Sequence, residues 1–269
     1  MGWLRGRLLR VWHLLRLIAL FWRTSWAAEV EYRSNFVFAA LSSGGTLVAS
    51  GFSLWLFYRG GAGFPGWSLD ESLVVLGLSS VFTGLVGALL APNLGRIVTH
   101  VEQGTLDFVL LKPVDPQLQL SLRVLSPWGL VDIAFGAALV VAGLARAGVG
   151  LRAALAVVPL LSGVILLYGL WFLVATTAVW FTKIYNATEV LRGLLDAGRF
   201  PLAAYPAAYR VFFTWVVPVA FLTTVPAEAL LGRASTTLLV AGPAVAAVVF
   251  VVARRFWLRA LRSYSGATG

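Results

Sequence analysis

Six stretches of about twenty residues, nearly devoid of charge, recur along this 269-residue chain and leave it few ways to fold. They fall at 36–58, 72–91, 126–145, 153–181, 211–230 and 234–253. The first, second, fourth and sixth contain no Asp, Glu, Lys or Arg, whereas the third holds Asp132 and the fifth Glu228. An α-helix rises about 1.5 Å per residue and a hydrocarbon core is about 30 Å thick, so each run can cross a bilayer as a helix. None alternates polar with apolar residues, and each is about twice the length of a barrel strand, so none reads as one. Charged residues make up 12% of the chain, against about 25% in soluble domains, too few to clothe a surface in water. The expected fold class is all-α and polytopic, with six transmembrane helices over 36–253, an arm over 1–35 and a tail over 254–269.

Basic residues orient this bundle. The arm carries Arg5, Arg7, Arg10, Arg16, Arg23 and Arg33, and the loop after the second run Arg96, Lys112 and Arg123. The loop after the fourth run carries Lys183, Arg192, Arg199 and Arg210, and the tail Arg254, Arg255, Arg259 and Arg262. Only Arg59, Arg146, Arg152 and Arg233 fall in the other loops. Cytoplasmic loops are the ones enriched in Lys and Arg, so both termini are expected in the cytoplasm. The preference for Arg over Lys, with abundant Ala, Gly and Val, points to a bacterial cytoplasmic (inner) membrane. The net charge of +10 is thereby a matter of topology. No soluble domain is available to present a basic face to nucleic acid.

In the arm, Leu4, Leu8, Val11, Leu15, Ile18 and Trp22 recur at helical spacing, with Arg5, Arg16 and Arg23 on the opposite face. Such a helix is expected to lie flat at the membrane interface, with Trp3, Trp12, Trp22 and Trp26 at headgroup depth. Nothing in it reads as a cleavable signal. Small residues at four-residue spacing, Ser80, Gly84 and Ala88 in the second run and Ala134, Ala138 and Ala142 in the third, predict close helix packing. Pro92 cannot donate to a helical ladder and is expected to end the second helix. The inner loop 92–125 then has room for a short separate helix over 94–103, stopped by Gly104. The other inner loop, 182–210, contains a weakly amphipathic segment in which Glu189, Arg192 and Asp196 can pair; part of it has the option of re-entering the membrane.

Most sites of chemistry are absent. There is no cysteine, which removes disulfides, thiolate metal sites and cysteine nucleophiles. His13 and His100 are the only histidines, and neither has a second ligand at metal spacing. Neither Lys112 nor Lys183 follows a glycine, so no phosphate-cradling loop exists. Leu41-Ser42-Ser43-Gly44-Gly45 has a superficial likeness to an ATPase signature but lies inside a run. Asp132 is the one acid well inside a run, where acids are costly. Pairing with a neighbouring polar group or Arg is the plainer reading, and proton coupling the other.

Glu102-x-Gly104-x-Leu106-Asp107, followed by Leu110-Leu111-Lys112-Pro113, resembles the segment between the second and third spans of permeases of type 2 ABC exporters (ABC-2 type). Phe200-Pro201-Leu202 with Tyr205-Pro206, then Val217-Pro218-Val219-Ala220-Phe221 and Pro226-Ala227 with Leu230-Leu231-Gly232, follow in the order seen in a branch of half-size, six-span permeases. The resemblance implies a cytoplasmic coupling helix that docks on a separate ABC ATPase. Carried over by position, the docking residues are Leu94, Arg96, Ile97, Val98, Glu102, Gly104, Leu106 and Asp107.

The expected function is that of a transmembrane permease subunit of an ABC exporter. Its partners are cytoplasmic ATPase subunits, a second permease (the same or a related chain) and membrane lipid. The chain itself is expected to bind no cofactor and to catalyse nothing, ATP and Mg being used by the ATPase. The polar face of the first run, Ser42, Ser43, Thr46 and Ser50, with Asp132 opposite, is the expected cargo pathway, for a hydrophobic or amphipathic substrate. The rival is a secondary transporter driven by an ion gradient, which requires more buried charge than Asp132 and broken helices meeting at mid-membrane.

Overall fold

The structure, a computed structural model, describes residues 16, 18–27, 33–148, 153–181 and 185–264. Every regular element among them is helical. We label α1 (Arg33–Arg59), α2 (Leu69–Leu85), α3 (Ala91–Glu102), α4 (Leu106–Leu110), α5 (Pro116–Leu122), α6 (Trp128–Arg146), α7 (Ala153–Thr176), α8 (Tyr185–Ala197), α9 (Ala207–Val211), α10 (Thr224–Leu230) and α11 (Thr236–Ser263). Five helices among the described residues are long and apolar enough to cross a membrane, and a sixth candidate is a bent pair.

The bundle has two ends. One, the arm end, gathers residues 18–27, the 103–127 loop and the start of α6: Trp22 Nε1 donates to the Leu122 carbonyl and Ser25 Oγ to that of Leu125. Ile18, Phe21 and Trp22 turn inward while Arg16 and Arg23 are exposed, as the helical spacing predicts. The earlier part of that pattern, Trp3, Leu4, Leu8, Val11, Trp12, His13 and Leu15, lies outside the described residues. The other, the turn end, is closed by the 60–68 loop, in which Gly61 and Gly66 adopt positive φ. There Tyr58 OH donates to the Trp67 carbonyl, and Arg233 Nη1 reaches both Glu71 Oε1 and the Gly66 carbonyl at 3.0 Å with its guanidinium over the Trp67 ring.

The second span departs from expectation. Pro92 does not end it. α2 runs through a π turn, Val86–Leu90, straight into α3, giving one 34-residue helix from Leu69 to Glu102. A capping box between Ser68 and Glu71 starts it, and Gly104 at φ +63° stops it. The π turn shifts the hydrogen-bond register ahead of the proline, with Ala91 N–H bonding to the Val86 carbonyl. The carbonyl that Pro92 would have paired in an α-helix, that of Ala88, accepts instead from Ser126 N–H at 2.9 Å. Asn93 completes the join, its Nδ2 donating to the Leu89 and Val124 carbonyls and its Oδ1 accepting from Val124 N–H. The proline thus makes a tertiary joint rather than a break.

Spans 2 and 3 meet along a glycine seam. Ideal Cβ atoms on Gly77 and Gly136 would each stand 2.6–2.7 Å from the other's carbonyl oxygen, and one on Gly143 would be 2.8 Å from that of Asp70. Gly84 and Gly129 approach in the same way. Ser80 and Ala88 on span 2 belong to this seam as expected, but Ala134, Ala138 and Ala142 do not; they are exposed on the far side of α6. The physical reason is that only a residue with no Cβ lets the two backbones come this close.

The expected straight fifth span, 211–230, is replaced by a bent pair, Ala207–Val216 and Val219–Leu230, at 74°. Val217 leaves the helical region before Pro218 (φ −120°, ψ 89°), as a residue preceding proline tends to. Both legs return to the turn end. Ala203, just before the pair, packs into the cluster formed by Trp67, Leu144 and Leu230, and Leu230 closes the second leg. Between them, Phe221 rests against Gly163 of α7 and Gly242 of α11, deep in the bundle. The crossing is made earlier, by the stretch containing α8. Trp180 stacks near Phe256 at the arm end, and Phe200 lies 5.9 Å from Phe64 in the turn-end loop. Residues 185–200 therefore run between the two ends of the bundle, although α8, 13 residues long and bearing Glu189, Arg192 and Asp196, is not among the helices long and apolar enough to cross a membrane. The tail also differs: Arg254, Arg255, Arg259 and Arg262 are on α11, which continues to Ser263.

Candidate functional site

A cavity of about 400 Å³ opens between α1, the α2 helix and α6. Hydroxyl residues are half of its lining: Ser42, Ser43, Thr46 and Ser50 from α1, Ser79, Ser80 and Thr83 from span 2, and Ser126 before α6. Asp132 and Arg199 supply its charged groups. All five pathway residues expected from sequence, Ser42, Ser43, Thr46, Ser50 and Asp132, line this one space. These four α1 hydroxyls sit on the helical stripe that faces spans 2 and 3, while Leu41, Val48, Phe52, Ser53 and Leu56 face outward.

Asp132 lies one turn into α6, and three spans converge on it. Ser43 Oγ of α1 donates to its carboxylate, and Ser80 Oγ of span 2 donates to its backbone carbonyl at 3.0 Å. The acid is thus paired with a polar neighbour. Arg199 follows α8 and pairs with Asp196 at 2.9 Å, while Arg192 stands 3.5 Å from Glu189. The Arg199–Asp196 pair brings a compensated charge to the hydroxyl-lined space through Arg199, an arrangement that needs water or protein rather than lipid around it. Ser79, Thr83, Ser126 and Arg199 were not found as cavity residues by sequence reasoning, and Ser80 was read there only as a packing residue. Their signal is the small hydroxyl residue on the face of span 2 next to the glycine seam.

The arm-end loop is the second region of interest. Leu94, Ile97 and Leu106 have no exposed surface, and Val98 and Val109 are buried beside them. Leu94, Ile97, Leu106 and Val109 join the cluster of Trp171, Phe172 and Trp257 that fills the arm half of the bundle. Leu94, Ile97, Val98 and Leu106 therefore hold the loop to spans 4 and 6 and offer no docking surface. Arg96 and Glu102 are exposed, and Gly104 and Asp107 are partly so. Phe108 and Leu111 project outward, 67% and 81% exposed, because α4 places Leu106, Val109 and Leu110 on its inner side. Sequence reasoning missed this tip, although the 106-109-110 against 108-111 alternation was there to read. His100, in α3 rather than a loop, bonds through Nδ1 with Thr105 Oγ1 at 2.8 Å.

A polar network fixes the loop from below. Asp115 caps α5 by accepting from Gln117 N–H and Leu118 N–H. Arg254 of α11 holds the same carboxylate with both guanidinium nitrogens, at 2.6 and 3.1 Å, and donates to Gln117 Oε1. Gln117 Nε2 donates to Tyr168 OH on α7, which also pairs with Ser121. Burial pushes the Asp115 carboxyl up, but the hydrogen bond from Arg254, that from Leu118 N–H, the guanidinium charge and that from Gln117 N–H outweigh it. The group rests below the ordinary carboxylate range. No group of three or more His, Cys, Asp or Glu side chains that could hold a metal occurs among the described residues.

Residues 45–268 match the family model described as ABC-2 family transporter protein. No curated protein and no solved structure matches the chain. The match takes in the α1 hydroxyls from Thr46 onward, the glycine seam, the arm-end loop and the bent pair, all within a bundle of membrane-length helices. The chain belongs to the ABC-2 family of membrane transporter permeases.

Proposed function

We propose that this chain is one permease half of an ABC exporter of the bacterial cytoplasmic membrane, with the arm end in the cytoplasm. A separate ATPase grips the arm-end loop, and cargo enters the hydroxyl-lined cavity. ATP and Mg belong to the ATPase, and a second permease, the same or a related chain, completes the pathway.

One observation carries this reading. The helix that ends beside the exposed Phe108–Leu111 tip is the same rod that lines the cavity with Leu76, Ser79, Ser80, Thr83 and Gly87. At about 1.5 Å per residue, its 34 residues reach ~50 Å. A push at the tip therefore arrives at the cavity wall along one continuous helix, whose π turn and Pro92 are braced by Ser126 and Asn93. The tip is apolar and presented on a buried base, the form a docking anchor takes. Glu102 and Asp107 flank it and would set its polar rim. The cavity wall is more polar than the sequence suggested, so an amphipathic cargo suits it better than a purely hydrophobic one.

Copurification tests the reading. A tagged chain should bring down a nucleotide-binding subunit. Leu111→Asp and Phe108→Asp should each weaken that capture at least tenfold while membrane insertion stays intact; Glu102→Ala and Asp107→Ala should weaken it less. If no such subunit is captured, and transport in vesicles ignores ATP but follows a proton gradient, the ion-driven alternative replaces this one.

A further inference from the structure

We infer that a groove at the arm end is a binding site for an anionic glycerophospholipid, whose acyl chain lies between the arm and the 112–122 segment with its phosphate beside Lys112. This inference rests on the chain being a multi-span membrane protein and is independent of which motor or cargo it serves.

The groove measures about 210 Å³. Ile18 and Phe21 of the arm form one wall, and Val114, Leu118 and Leu122 the other. Trp22 and Ser25 bolt the arm to the 122–125 carbonyls, so the two walls are held apart at fixed spacing. An apolar slot opening at the level of interfacial tryptophans is one that bilayer chains enter before any water-borne ligand does.

Two observations specify the head. The first is charge. Lys112 is exposed at the rim and is the charged residue among those lining the groove, and Arg96 and Arg123 act with it on His100, so the region carries three cations. A cluster of that sign at a bilayer surface selects lipids with anionic heads. The second is an unmet hydrogen bond. Gln119 lines the groove, is 6% exposed, and its Oε1 is buried without a partner. A buried amide oxygen left so costs about 1–3 kcal/mol. A glycerol hydroxyl satisfies it, and so does turning the amide to present Nε2 to an ester carbonyl. An acyl chain, a phosphate and a glycerol backbone together are the parts of one phospholipid. A soluble anion would leave the apolar slot empty, and a neutral lipid would leave the cations unmatched.

The test uses the full chain in detergent, delipidated and then titrated with phosphatidylglycerol or phosphatidylcholine, following thermal unfolding and lipid retained after exchange. Phosphatidylglycerol should raise the midpoint and phosphatidylcholine should not. Lys112→Gln should weaken the phosphatidylglycerol effect ~5-fold, the loss expected for one basic residue at a membrane surface. Leu118→Trp, which fills the slot, should abolish it. Arg255→Gln removes an equal charge from an exposed position outside the groove and should leave the effect intact. The inference is overturned if Arg255→Gln and Lys112→Gln weaken it equally, which is charge without a site. It is also overturned if phosphatidylcholine stabilises as well, or if glycerol phosphate alone reproduces the effect.

Discussion

Gly136→Ala adds one methyl group at the tightest kind of contact in the molecule. Its Cβ would lie 2.6 Å from the Gly77 carbonyl oxygen, 2.8 Å from Val81 N and 2.9 Å from Ser80 Cβ. Two of these three neighbours are backbone, which has no rotamer to change. Restoring an ordinary 3.4 Å approach requires spans 2 and 3 to part by about 0.8 Å. A gap of that size forfeits about a quarter to a half of each dispersion contact along the seam. The expected cost is about 1–3 kcal/mol, the range for overpacking a well-fitted contact. At about 2–4 °C per kcal/mol for a chain near this size, the unfolding midpoint in detergent should drop by several degrees. The eleven tryptophans provide the fluorescence signal. Ala138→Leu is the matched control, because it adds more volume to the same helix at an exposed position. A Gly136→Ala protein as stable as the parent, or an Ala138→Leu protein less stable than Gly136→Ala, would refute the seam.

Three further outcomes follow from the geometry. Because the chain has no cysteine, single cysteines report cleanly: Ser42→Cys and Thr83→Cys should react with a membrane-impermeant thiol reagent in detergent-free membranes opened at the arm end, whereas Val48→Cys, which faces outward, should not. For the bent pair, Arg210→Cys should label from the same side of sealed vesicles as Gly63→Cys and from the side opposite Lys112→Cys; labelling with Lys112→Cys would restore the straight fifth span. Asp115 rests below its unfolded value near 3.8, so its stabilisation is complete above that value and is lost as pH falls through the lower, folded one. Asp115→Asn, which keeps the helix cap, should cost about 0.5–1 kcal/mol at pH 7 for a pair this exposed, with the difference from the parent shrinking as pH falls below 3.8; a difference that does not shrink with acid would assign it to something other than the carboxylate charge.

The membrane class, five of the six spans and the α1 hydroxyl stripe were legible because each is a local pattern, an apolar run or one residue type at helical spacing. The rest depended on what the chain meets in three dimensions. Pro92 reads as a stop only if its orphaned carbonyl has no other donor, and the Ser126 N–H that serves it is 38 residues away from Ala88. The seam on span 3 was assigned to alanines because Gly129, Gly136 and Gly143 repeat every seven residues rather than four. The passage from one end of the bundle to the other through α8 hid behind Glu189, Arg192, Asp196 and Arg199, which form two ion pairs, with Arg199 lining the polar cavity.

The seam also decides which wall of the cavity can move. Spans 2 and 3 are locked backbone to backbone at five glycines, so neither can swing without losing the whole contact. Helix α1 is the opposite case. Only 11% of its membrane window is buried, against 61% for span 2, and at the cavity it is held to α6 by the hydrogen bond from Ser43 to Asp132. A mobile element is one with few buried contacts, so widening of the cavity falls to α1, with Ser43–Asp132 as the latch. Ser43→Ala should then raise the rate at which a thiol reagent reaches Thr83→Cys, on the facing wall, severalfold and leave the unfolding midpoint within about 1 kcal/mol of the parent's, the net worth of one hydrogen bond. Asp132→Ala, which frees the same latch from the other side, should raise it by a similar factor, and the double variant no further. Additive effects of the two would mean that the hydroxyl and the acid act on separate motions, and an unchanged rate in both would place the moving wall elsewhere.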